Sequence, residues 1–133
     1  MVPVLVPVIE LAKTIEGGGL KDADTDILQA HLNAKHAADA PFLLQMRADK
    51  RLVVLLDGMD EAGACRDTLE QYVSTRLAAE VQLCITGREQ GIKAMELFGE
   101  FKHVQVQALS ERQQAKMIHS RMEGKVLEGA TTE

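Results

Sequence analysis

Two polar runs follow two apolar ones in this chain. Leu52-Val53-Val54-Leu55-Leu56 leads into Asp57-Gly58-Met59-Asp60-Glu61, and Val81 to Ile85 leads into Thr86-Gly87-Arg88. Five consecutive apolar residues predict a strand covered on both faces, as in a parallel sheet between helices. In open α/β sheets, ligands bind beyond the carboxyl ends of the strands. If the two strands are neighbours, three carboxylates and one guanidinium gather at one rim. That set suits phosphoryl transfer. A carboxylate at a strand end can hold Mg²⁺, directly or through water. A second carboxylate can orient an attacking water. An arginine can detect and stabilise charge on a terminal phosphate. Thr86 and Gly58 complete the rim, with Gly58 leaving room beside the metal carboxylate.

Each residue also has a plainer reading. Asp60 and Glu61 fit the first turn of a helix, where carboxylates complement the backbone dipole. Asp57 fits a turn before glycine, and Arg88 fits a solvated surface arginine. Asp22, Asp24 and Asp26 have calcium-loop spacing, but Ile27 stands where that loop needs glycine and Asn33 where it needs a bidentate glutamate. His31, His36, His103 and His119 show no ligand spacing and read as surface or partly buried. Cys84 reads as a small core hydrophobe. Met46, Met95, Met117 and Met122 read as core filler.

The elements that must position the rim are legible from period and punctuation. Val2 to Ile9 reads as a strand. Pro3 and Pro7 are four apart, so their missing N–H groups fall on one side, which makes it an edge strand. Gly17-Gly18-Gly19 reads as a loop. Asp24-Thr25-Asp26 offers an N-cap to a helix ending near Ala38. Pro41 opens a second helix. Leu69, Tyr72, Val73 and Leu77 mark a helix between Cys65 and Glu80. Ile92 to Phe98 reads as a short helix, and His103 to Gln107 as a weak strand. Ser110 with Gln113 forms a capping box for a helix carrying Ala115, Ile118 and Met122. Strands alternating with helices predict an α/β fold with a parallel sheet. Residues 1–122 read as one domain and 123–133 as a loose tail.

The chain has 133 residues, 46% apolar and 26% charged, so a packed core is expected rather than disorder. A net charge of −5 and an aromatic content of 3% argue against nucleic acid as a partner. No stretch reaches the length of a membrane span. Two cysteines without a secretory signal point to a reducing, cytoplasmic compartment.

The run LVVLLDGMDE, residues 52–61, resembles the NACHT form of the Walker B motif, in which a small residue follows the magnesium aspartate and two more acids come one residue later. LCITGR, residues 83–88, resembles the sensor 1 strand, with Gly87 for the usual serine and Glu89 for the usual proline. Residues 104–121 resemble the end of the nucleotide-binding core. The chain thus looks like part of a NACHT-type domain of the STAND P-loop nucleoside triphosphatases. That resemblance implies a three-layer α/β fold with helices on both faces of a parallel sheet. It also implies ATP or GTP with Mg²⁺ as ligand, a conformational switch as function, and protein partners or self-assembly through flanking domains. Asp57 would hold the metal, Asp60 or Glu61 the water, and Arg88 the γ-phosphate.

The phosphate-binding loop of that family, G-x-x-x-x-G-K-[ST], has no match here. Gly17-Gly18-Gly19-Leu20-Lys21 lacks the glycine before the lysine and the hydroxyl after it. Val2 to Ile9 corresponds to the family's second strand, so the first strand and its loop are expected upstream of Met1. The family strand order, 5-1-4-3-2, then leaves residues 2–9, 52–56 and 81–86 as one contiguous sheet and deprives residues 103–107 of their neighbour. The core would be an incomplete P-loop NTPase fold of the ASCE type, with little or no hydrolysis. Two other functions fit the same residues: a phospho-receiver with Asp57 as phosphoacceptor and Thr86 as switch, and a non-catalytic interaction module.

Overall fold

The computed structural model describes residues 1–18, 25–93 and 101–129. The chain divides into two compact units, residues 1–101 and 102–133.

The first unit runs β1 (Val2–Pro7), α1 (Val8–Gly18), α2 (Ile27–Lys35), α3 (Ala40–Ala48) and β2 (Leu52–Asp57). Two 3₁₀ turns, Met59–Glu61 and Gly63–Cys65, lead into α4 (Arg66–Tyr72). Helical backbone continues through a π-turn at Val73–Leu77 into α5 (Ala78–Glu80), then β3 (Gln82–Ile85) and α6 (Glu89–Lys93). The three strands form one parallel sheet in the order β1-β2-β3, with Val2 opposite Leu52 and Val54 opposite Leu83. This is the contiguous sheet expected from the sequence. The Val2 N–H donates to the Arg51 carbonyl at 2.8 Å, so the even-numbered amides of β1 face β2. Pro3 and Pro7 therefore place their missing donors on the outer edge.

Among the described residues, the helices between the strands cover one face of the sheet. Val6, Leu52, Val54 and Leu56 are buried, with Val2, Val4, Leu83 and Ile85 packed beside them against the helices. On the other face Leu5 and Cys84 are exposed, while Val53 and Leu55 are half-buried. This corrects two expectations: helices on both faces, and Cys84 in the core. The cause is topological. Strand order advances in one direction, and right-handed crossovers then lay every connecting helix on the same side.

Helix α1 was not anticipated. Val8, Leu11, Ala12 and Ile15, at i, i+3, i+4 and i+7, are its buried stripe. Pro7 ends the strand, so Val8 and Ile9 belong to the helix. Gly17 and Gly18 form its last turn rather than a loop after a strand.

A partly buried polar cluster ties α2, α3 and the α4–α5 stretch together. Asp26 caps α2 by accepting from the Gln29 N–H at 3.1 Å. Its oxygens also accept from Arg47 of α3 at 2.8 Å, from Arg76 at 3.2 Å and from the Tyr72 hydroxyl at 3.1 Å. Arg47 continues to Glu80. Burial alone would raise the Asp26 carboxyl, but the Arg47 and Gln29 hydrogen bonds hold it below the usual carboxylate range. Tyr72 is fully buried, and burial pushes its hydroxyl up to about 12.

His31 is also fully buried, where a surface or partly buried histidine is expected from the sequence. Its Nδ1 lies 3.3 Å from the Thr14 hydroxyl, and Nε2 has no partner among the described residues. Burial lowers its pKa, and His36 and Lys35 add to the effect against Glu10.

In the second unit, α7 (Glu111–Gly129) opens on the expected capping box: Ser110 N–H donates to Gln113 Oε1 at 2.8 Å, and Gln113 N–H to Ser110 Oγ at 3.4 Å. Helical backbone persists through Gly129, beyond the expected loosening at Gly124. Residues 103–107 form no strand, and Val104 and Val106 are exposed. Met117 and Met122 are likewise exposed rather than core filler. The short helix expected from Ile92 appears earlier, at Glu89–Lys93, and residues 94–98 lie outside the described residues.

Two measurements check this account. Leu56→Ala should cost about 3 kcal/mol in urea denaturation, whereas Leu5→Ala on the open face should cost less than about 1 kcal/mol. The folded state keeps His31 neutral, so the unfolded chain takes up that proton first. The His31 contribution is complete above the ordinary value of 6.5 and is lost as pH falls toward the lowered folded value. Stability should decline from pH 7.5 to 5.5, and His31→Leu should flatten that decline.

Candidate functional site

The rim forms where β2 and β3 end side by side. Pairing of Leu56 with Ile85 delivers Asp57 and Thr86 to the same edge. The Thr86 N–H donates to the Leu56 carbonyl at 2.9 Å, and the Thr86 carbonyl accepts from Met59 N–H at 2.9 Å. Its hydroxyl accepts from Gly58 N–H at 3.1 Å and donates to Asp57 Oδ1. Thr86 therefore closes the loop after β2 onto the neighbouring strand.

Gly58 takes φ +80, a left-handed conformation in which a Cβ is strained. A Cβ there would also meet the Glu61 carboxylate at 3.3 Å. The room beside Asp57 is thus filled by the turn itself and by Glu61. Met59 is buried and anchors the turn, which leaves Asp57 and Glu61 exposed on either side.

Asp60 and Arg88 are brought together. Asp60 Oδ1 accepts from the Arg88 N–H at 3.1 Å, and Oδ2 lies 3.3 Å from Arg88 Nε. The Asp60 side chain is 16% exposed and the Arg88 side chain 84% exposed. All the rim residues expected from the sequence, Asp57, Gly58, Asp60, Glu61, Thr86 and Arg88, meet at this edge.

Two further residues shape the rim without having been anticipated. A Cβ on Gly91 would sit 2.4 Å from the Asp60 Cβ, so α6 can approach this turn only through a glycine. Arg66 Nη2 donates to the Gly91 carbonyl at 2.8 Å while its Nε donates to Glu70 at 2.7 Å, strapping α6 to α4. Gly91 inside a helical turn is a costly residue, and that cost was the available signal for a close approach.

Chemically, the rim offers acceptors and one guanidinium. Asp57 has one oxygen bound to Thr86, and no hydrogen bond reaches its second oxygen among the described residues. Among those residues no group of three or more His, Cys, Asp or Glu side chains forms a metal cage. A lone carboxylate fits Mg²⁺ when phosphate oxygens and water complete the octahedron. The Gly58 and Met59 N–H groups are already bound to Thr86, so this turn is no phosphate cradle. The glycines of residues 17–18 sit at a helix C-terminus, whose partial negative charge disfavours phosphate. Two open cavities of about 410 and 420 Å³ lie elsewhere. Asp26, Arg47, Arg76 and Glu80 line the first and are paired with one another; Lys13, Thr14 and Lys35 line the second. No helix among the described residues is long and apolar enough to cross a membrane.

Gly58→Ala should destabilise the chain by about 1–2 kcal/mol through the left-handed backbone alone. Gly91→Ala should push α6 off Asp60 and raise amide hydrogen exchange at Arg88 while leaving Leu56 protected, as read by NMR.

Comparison with family models, with curated proteins and with solved structures found no match for this chain.

Proposed function

We propose that the rim is the magnesium and sensor half of a nucleoside-triphosphate site in a NACHT-like switch domain. Asp57 would hold Mg²⁺ through its second oxygen, Glu61 or Asp60 would orient water, and Arg88 would meet the terminal phosphate. The observation that carries this reading is the convergence of Asp57, Asp60, Glu61 and Arg88 on two adjoining parallel strand ends, held by Thr86. Strand order supports it too, since β1-β2-β3 is the order the resemblance leaves when its first strand is absent.

The receiver alternative gains no support. It needs an acidic pair beyond β1, where this chain has Val8 buried and Ile9. The interaction-module reading has one specific observation in its favour, the apolar sheet face bearing Leu5, Val53 and Leu55.

Without a backbone cradle and its lysine, binding should be weak and turnover absent. Calorimetric titration with ATP and with GTP should give Mg²⁺-dependent binding with a Kd on the order of 1 mM, about −4 kcal/mol. Asp57→Asn should abolish the magnesium dependence, and Arg88→Ala should weaken binding of triphosphate more than of diphosphate. Magnesium-independent binding, or none by a folded chain, would remove the basis for a nucleotide site. Steady ATP turnover by this chain would contradict the cradle argument.

A further inference from the structure

We infer that Asp60 is an internal competitor for the terminal phosphate: it occupies Arg88 at rest, and an incoming polyphosphate takes the guanidinium by exchange, releasing the carboxylate. The inference deepens the rim reading above and rests on it.

The two partners are held very differently. Asp60 is clamped. It lies on the turn anchored by buried Met59, Gly91 abuts its Cβ, and Arg66 holds the Gly91 carbonyl in place at 2.8 Å. Arg88 is fixed only through its backbone, whose N–H donates to Asp60 Oδ1 at 3.1 Å, while its side chain is 84% exposed. The guanidinium is therefore the arm that moves, and the carboxylate is the post.

Departure of the arm is cheap on both sides. The Arg88 N–H remains on Oδ1, so Asp60 keeps one hydrogen bond and gains solvent on Oδ2. An ion pair at 3.3 Å through one nitrogen, with its guanidinium in solvent, is a weak attachment. A polyphosphate carries several negative charges and can accept the guanidinium in bidentate fashion, which the Asp60 contact does not use. The exchange also links binding to chemistry. Only when a terminal phosphate takes Arg88 does Asp60 Oδ2 become available to a water molecule at the rim. Asp60 and Arg88 thus form a single two-position device rather than two independent contacts.

The test uses the whole chain and inorganic tripolyphosphate, first without magnesium. Titration is followed by the NMR signal of the Arg88 Nε–H group and by calorimetry. In the unaltered chain the Arg88 side-chain signal should move on addition of tripolyphosphate while its backbone N–H stays protected. Asp60→Asn should bind roughly two- to fivefold tighter, the scale set by a weak ion pair. Glu61→Gln removes the same charge from the same rim without freeing Arg88, so its gain should be smaller. Arg88→Ala should lose the binding. Equal gains in Asp60→Asn and Glu61→Gln, or no gain in either, would overturn the exchange while leaving a phosphate-binding Arg88 intact. An Arg88 side-chain signal indifferent to tripolyphosphate in the unaltered chain would overturn it without need of any variant. Loss of Mg²⁺-nucleotide binding alongside a specific Asp60→Asn gain would remove the nucleotide reading and leave the exchange standing for polyanions.

Discussion

Thr86 is the point on which the rim depends. Its amide and carbonyl continue the pairing of β3 with the end of β2, and its hydroxyl holds both the Gly58 N–H and the Asp57 carboxylate. The turn that follows β2 needs a left-handed residue at Gly58 to reverse direction. Once that turn is pinned, Met59 drops into the core and the acids on either side point outward. A threonine meets this need because one small side chain supplies an acceptor and a donor at adjacent positions.

The helical layer below determines whether those strand ends stay in register. Leu52, Val54 and Leu56 supply the buried face of the central strand, in one core cluster with buried residues of α1, α2, α3 and α4. Asp26 with Arg47, Arg76 and Tyr72 ties α2 to α3 and to the α4–α5 stretch, away from the rim. Such a cluster adds little net stability, because ions leave water to form it. It does specify one arrangement of α2, α3 and the α4–α5 stretch, since any other would strand a buried charge. The opposite sheet face has no such cover from these helices. The chemistry-bearing edge is therefore built on a sheet packed against these helices on one face only.

The rim itself mixes fixed and movable parts. Asp60 is enclosed by Gly91 and the Arg66 strap, whereas Arg88, Asp57 and Glu61 face solvent.

Local sequence was sufficient for what local physics governs. The apolar run 52–56 declared a buried strand, Pro3 and Pro7 declared an edge, and Ser110 with Gln113 declared a helix start, because period, missing donors and caps act within a few residues. The meeting of Asp57, Asp60, Glu61, Thr86 and Arg88 was legible because two apolar runs each ended in polar residues and parallel strands present their ends together. Helix α1 escaped notice although its stripe of Val8, Leu11, Ala12 and Ile15 was present, because the β-branched Val8 and Ile9 continued the strand pattern across Pro7. Burial of His31 and exposure of Cys84 were decided only in three dimensions. Each depends on which neighbour lies across a face or along an edge, and residues distant in the chain supply that neighbour. The same holds for Arg66 and Gly91: their part in the rim exists only because α6 folds back on the turn after β2, a contact that no spacing along the chain encodes.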